Sequence, residues 1–219
     1  MWAMPTLQAT NLLNDIMAFD IDKLFKFCTE EINNFGEKHQ NESFYGFAID
    51  ASLLCLNSEE EFSVSLKRYQ DEWDYDNRSI LTWDELTERD IWLSESSIRV
   101  DGEYLGSKPE DRNAHLIIIN QDRAEERAKG NPYRKNDEIL SLRENTGDWQ
   151  YQGFVKMTES VGFDEDAYDL HYNLSDDEQK TSAYGKAMDE LLRRLTKANV
   201  FAFLRLSPSF YAIRVEHSY

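Results

Sequence analysis

Cysteine is scarce in this chain, and basic residues are outnumbered. Only Cys28 and Cys55 occur, with no Cys-x-x-Cys pair and no cysteine–histidine cluster. That excludes a disulfide framework and the usual structural zinc sites, and it leaves two buried thiols as the expectation. No stretch approaches the ~18 consecutive apolar residues of a membrane-spanning helix. The opening MWAMPTLQATNLLND lacks the basic and apolar regions of a signal peptide, so a cytoplasmic protein is expected. There is no GxxxxGK[ST], no GxGxxG, no GxSxG and no HExxH, so the common signatures of nucleotide, dinucleotide, hydrolase and metalloprotease sites are missing.

What is present is an excess of acid and many aromatics. The 219 residues carry 42 acids against 24 lysines and arginines, a net charge of −18. Hydrophobic residues make up 41% and aromatics 13%, too much for a disordered chain. Two segments hold the excess: residues 58–111 are net −10 and residues 157–190 net −8. Nucleic acid and anionic membrane are thereby disfavoured as ligands, because phosphate contacts need a basic surface. A basic protein partner is favoured by the same field, although ordinary solubility explains such charge equally well.

The periodicities indicate an α+β fold in a single domain, with a mainly antiparallel sheet and helices packed on one face. Ile21, Leu24, Phe25, Cys28, Ile32 and Phe35 predict a helix over 20–35, stopped at Gly36. Phe44–Ile49 and Leu53–Leu56 predict a hairpin. Ser58 and Glu61 suggest a capping box that opens a helix over 59–72. His115–Asn120, apolar and β-branched, is the best isolated strand candidate, and Arg123–Lys129 reads as a solvated loop or short exposed helix. Asp101-Gly102 suggests a second hairpin between Ile98–Val100 and Glu103–Leu105. Ser175 opens a helix over 176–198 whose stripe is Tyr184, Met188, Leu191, Leu192 and Leu195, and Phe210–Val215 closes the chain as a strand. Residues 74–111 hold Tyr75, Trp83, Trp92 and Tyr104 but carry no long period.

The oddest stretch is NTGDWQYQGF, Asn145–Phe154. Its first four residues have turn chemistry, and the rest predicts a strand. Trp149 and Tyr151 are then expected to pack on the Leu191–Leu195 helix, and Gly153 to admit a close backbone. An exposed aromatic binding surface is the alternative.

Candidate chemistry is sparse. His39, His115, His171 and His217 form no spaced pair, and Asp164 and Asp169 near His171 would face different sides of a helix. No cofactor or metal is expected. The acid clusters Glu59–Glu61 and Asp164–Asp166 fit helix starts better than carboxylate active sites.

FYGFAIDASLLCLNSEEEF, LRENTGDWQYQGF, TSAYGKAMDELLRRL and FYAIRVEHSY resemble a bacterial domain-of-unknown-function family with an NTGDWxYQGF-type motif, in the four-thousand-three-hundreds of that series. The resemblance covers residues 43–73 and 136–219, and residues 74–135, which lie outside it, look like an insertion or a divergent middle of the domain. It implies an association with toxin–immunity loci and transfers no catalytic residues. The resulting expectation is a non-enzymatic, immunity-type inhibitor of a basic toxin domain. The competing readings are a small enzyme using distant carboxylates and a regulatory interaction module. Trp83, Trp92 and Tyr104 are the candidate partner anchors, with core packing as their alternative role.

Overall fold

The computed structural model describes residues 19–86, 99–100, 103–104 and 109–215. The chain divides into two compact units, one formed by residues 1–63 and 143–219, the other by residues 64–142. The stretch read as an insertion, 74–135, falls inside the second.

The first unit is α+β. Helix α1 (Ile21–Lys38) is capped by the Asp20 carboxylate, which accepts the Lys23 N–H at 3.1 Å. Strands β1 (Phe44–Asp50) and β2 (Leu53–Ser58) form the expected antiparallel hairpin. Helix α2 (Glu59–Asp76) follows at once, and only its first turn, to Ser63, belongs to this unit. Gly36 lies inside α1 and does not stop it. A Cβ there would run into the carbonyl oxygen of Phe203, so the glycine marks a backbone crossing.

In the second unit, α3 (Pro109–Lys129) follows the short strands β3 (Arg99–Val100) and β4 (Glu103–Tyr104). These two strands pair antiparallel, as the second hairpin predicts. His115–Asn120 is helical, not a strand, and so is Arg123–Lys129. The apolar run sits between Pro109, which suits a first helical turn, and a segment rich in Glu, Ala, Arg and Lys. Helix propagation through strong formers outweighs the local β preference of three isoleucines. The described core of this unit is small. Ile80 and Ile119 are buried, and the Asn120 amide clasps the Ile80 backbone, accepting its N–H at 2.8 Å.

Helix α4 (Asn136–Glu144) starts in the second unit and re-enters the first at Arg143, and the chain then passes through a 3-10 turn, Thr146–Asp148, into β5 (Tyr151–Lys156). Then come α5 (Glu165–Tyr172), α6 (Asp176–Gln179), α7 (Ala183–Lys197) and β6 (Leu206–Val215). The helix expected over 176–198 is therefore broken at residues 180–182, where Ser182 starts α7 by accepting the Gly185 N–H at 2.9 Å. The sheet order is β5-β2-β1-β6. The β1–β2 and β2–β5 pairs are antiparallel, but β6 runs parallel to β1, so the sheet is mixed. Gly153 sits at φ 65° where the β2–β5 register shifts, a backbone state that glycine adopts without strain.

All seven residues of β1 are buried. Phe44, Phe47 and Ile49 join Leu24, Cys28 and Ile32 of α1 and Tyr184, Met188, Leu191 and Leu195 of α7 in one apolar core. Cys28 and Cys55 are both buried as free thiols, and burial pushes each up to about 12. The opposite side of β1 is covered by Trp149, whose ring stands edge-on to Tyr45 at 6.0 Å and to Tyr211 at 6.2 Å. Phe62, the buried residue of α2, also packs on Tyr45, at 5.9 Å, so α2 enters this second layer and not the α1/α7 layer. Trp149 thus does not pack on the Leu191–Leu195 stripe. Tyr151 meets Phe35 at 5.0 Å and His39 at 4.9 Å, at the end of α1.

Gly46 is where the second layer touches the sheet: a Cβ there would lie 2.6 Å from the Trp149 ring. Gly46→Ala is expected to displace that ring and to destabilise the unit by about 1–3 kcal/mol. Urea denaturation should show a lower midpoint with an unchanged slope. An unchanged midpoint would mean that Trp149 is not held against β1.

Candidate functional site

Three polar clusters in the first unit have the residue types of catalytic sites. The first centres on Glu42. Its carboxylate accepts the Tyr151 hydroxyl at 2.7 and 2.8 Å and the Ser58 hydroxyl at 2.7 Å, and it lies 2.7 Å from His39 Nδ1. Burial works to raise its pKa, but the bonds from His39, Ser58 and Tyr151 outweigh burial and hold it below the ordinary value. Ser58 also accepts the Glu61 N–H at 3.2 Å, which is one half of the expected capping box. The other glutamate reaching back is Glu60, to the Ser43 N–H at 2.8 Å. Together these contacts tie the end of α1 and strand β5, through Glu42 and Ser58, to the start of α2.

The second cluster centres on Arg143. Its guanidinium grips Glu59 with two bonds, of 2.7 and 2.6 Å, and lies 3.7 Å over the Tyr45 ring. The Arg143 bond is the main reason that the Glu59 carboxyl sits below its usual range, with Ser207 assisting at 2.7 Å. The Arg143 carbonyl accepts both the Tyr45 hydroxyl, at 3.1 Å, and the Trp149 indole N–H, at 3.0 Å. The rest of the odd motif serves the same layer. Asn145 accepts the Gly147 N–H at 3.2 Å, and Thr146 donates to the buried Asp50 carboxylate at 2.7 Å.

The third is His171, 1% exposed on the inner side of α5. Its ring packs on Tyr184 at 4.5 Å, and Nδ1 lies 2.8 Å from Ser182 Oγ. That hydroxyl already donates to the Gln179 carbonyl at 2.9 Å, so Nδ1–H must be the donor to it. Burial, and after it the charge of Arg214, lowers the His171 pKa, which keeps the ring neutral. The neighbouring acids do not join it. Asp164 caps α5 by accepting the Ala167 N–H at 2.9 Å, and Asp169 is exposed. Among the described residues, no three His, Cys, Asp or Glu side chains are grouped to hold a metal.

The expected partner anchors do not assemble into a described site. Trp83 opens a 3-10 turn in the second unit and is partly buried. Tyr104 lies in β4, and Trp92 falls outside the described residues. Exposed faces that set apolar residues beside acids lie elsewhere. One is at Leu140 of α4, 56% exposed between the exposed Asp137 and Glu144. Another is on α5 and the turn after it. Glu165, Asp166 and Asp169 are exposed there beside Leu170, which is 68% exposed, and Leu174, which is 36% exposed. Sequence reading passed over it because Leu170 falls among acids and aromatics that look like one amphipathic helix; nothing local says which side faces the core.

Among the described residues, no helix is long and apolar enough to cross a membrane. No protein-family model, no curated protein and no solved structure matches the chain.

His171 gives a pH dependence with a definite sign. Its folded pKa lies below the ordinary 6.5, so its contribution to stability is complete above that value and is lost as pH falls from 6.5 towards the folded pKa. The denaturation midpoint should fall over that window, and His171→Gln should flatten the fall. A wild-type profile that is flat there would show that His171 is not held neutral.

Proposed function

We propose that this chain is a non-enzymatic, cytoplasmic binding protein that captures a basic protein partner, and that it acts as an immunity-type inhibitor of a toxin domain. The observation that carries this reading is where the negative charge stands. Glu42 and Glu59, the carboxylates at the centres of the first two clusters, are taken up by bonds that hold the fold. Glu165, Asp166 and Asp169 are turned outwards, and among the described residues no ion pair neutralises them. Asp71 and Glu72 of α2 are exposed as well, although Lys67 pairs with Asp71. Outward charge of one sign accelerates the encounter with a partner of the opposite sign. The immunity form of the proposal rests on the resemblance read from the sequence, which implies a toxin–immunity association and which no family model supports.

The test is co-expression with the proteins encoded beside this one, read as growth. Neutralisation of a neighbouring toxic product is expected. The purified pair should then associate about tenfold or more slowly at high salt than at low salt, because the steering field is screened. Turnover of small molecules by the isolated protein, with no neighbour neutralised, would establish the enzyme reading instead.

A further inference from the structure

Most acids of the α5 region have a structural reason to be there. Asp164 is the N-cap of α5, and Glu165 and Asp166 lie in its first turn, where the helix dipole favours negative charge. Glu178 closes the capping box at Ser175, and Asp177 pairs with Lys180 at 3.0 Å. Asp169 has no such reason. It stands in the C-terminal half of an 8-residue helix, where the dipole disfavours it. It is also three residues after Asp166 and four after Glu165, and like charges at those spacings destabilise a helix. Among the described residues no cation pairs with it.

Its neighbour is equally unaccounted for by the fold. Leu170 is 68% exposed, one helical turn after Asp166, and Leu174, 36% exposed, lies in the turn beyond the helix end at Tyr172. The inner side of α5 is complete without them. Tyr168 meets Phe163 at 5.4 Å and Tyr184 at 5.1 Å, and His171 is fully covered. A repulsive acid and an exposed leucine, side by side on one outward face, both cost the free protein something that a suitable partner would relieve.

We infer that Asp166, Asp169, Leu170 and Leu174 form the docking surface of α5, and that the element it takes is a basic amphipathic helix. This rests on the basic-partner reading above. An aliphatic side chain of such a helix seats on Leu170, and a lysine or arginine one turn away reaches Asp166 and Asp169. Three- and four-residue spacing on the partner matches three- and four-residue spacing on α5. The apolar contact holds the complex, and the carboxylates speed its formation and select the sign of the partner's charge.

The full chain is titrated with a synthetic amphipathic lysine–leucine helical peptide and, separately, with polylysine. Leu170→Ser should weaken peptide binding about tenfold, as expected for losing most of a buried leucine contact. Val64→Ser, at a residue 64% exposed on α2, should leave binding unchanged. Asp169→Asn should weaken peptide binding while raising the denaturation midpoint of the free protein, the opposite of what a purely structural carboxylate would do. Unchanged peptide affinity in Leu170→Ser, with polylysine binding as well as the peptide, would overturn the α5 surface and leave basic-partner capture standing. Failure of both probes to bind the unaltered protein would overturn the surface and count against basic-partner capture itself.

Discussion

The structure depends on burying β1 from both sides. A strand at the centre of a sheet can expose one face to water only if alternate residues are polar, and FYGFAID is not built that way. One side is covered in the ordinary manner by the apolar stripes of α1 and α7. The other side has no long helix stripe in its described core. It is closed by a single indole, one helical turn of α2, and a tyrosine from β6. Gly46 leaves the room for that indole, and the Arg143 carbonyl fixes it in place together with the Tyr45 hydroxyl. Buried aromatics with polar tips need such partners, and one backbone oxygen serves two of them here.

The polar clusters follow from this arrangement. Closing the second face brings the start of α2, the end of α4 and the start of β6 together, and their backbone ends and charged side chains must be satisfied there. Glu59 and Arg143 pair while still partly exposed, which avoids the full desolvation cost of a deeply buried ion pair. Glu42 solves the same problem at the end of α1, taking bonds from His39, Ser58 and Tyr151. Residue types that would suggest catalysis on their own also serve here as joints between elements.

The candidate site was less legible in the sequence than the fold. The hairpin at residues 44–58, α1, the stripe of α7 and the free buried thiols follow from local period and composition, because each needs only its own residues to declare itself. The strand at His115–Asn120 did not materialise, since helix propagation through its flanks overrides a short β-branched run. Trp83, Trp92 and Tyr104 drew attention as large aromatics in an unplaced segment. Leu170 of α5 is exposed beside acids that no described cation pairs with, and exposure is not written in residue type.

The sequence by itself determined the class of this protein: an α+β chain with aromatic-rich strands, acid-rich helices and no familiar cofactor signature. These depend on composition and on periods of two and three to four residues, which act over a few neighbours. Only the tertiary structure decided that β6 runs parallel to β1, that Trp149 closes the face opposite α7, and that Asp169 and Leu170 point outwards. Those facts join residues far apart in the chain. Strand direction, the side of a sheet that a side chain takes and the exposed side of a short helix are set by what else must be buried, and no local pattern carries that information.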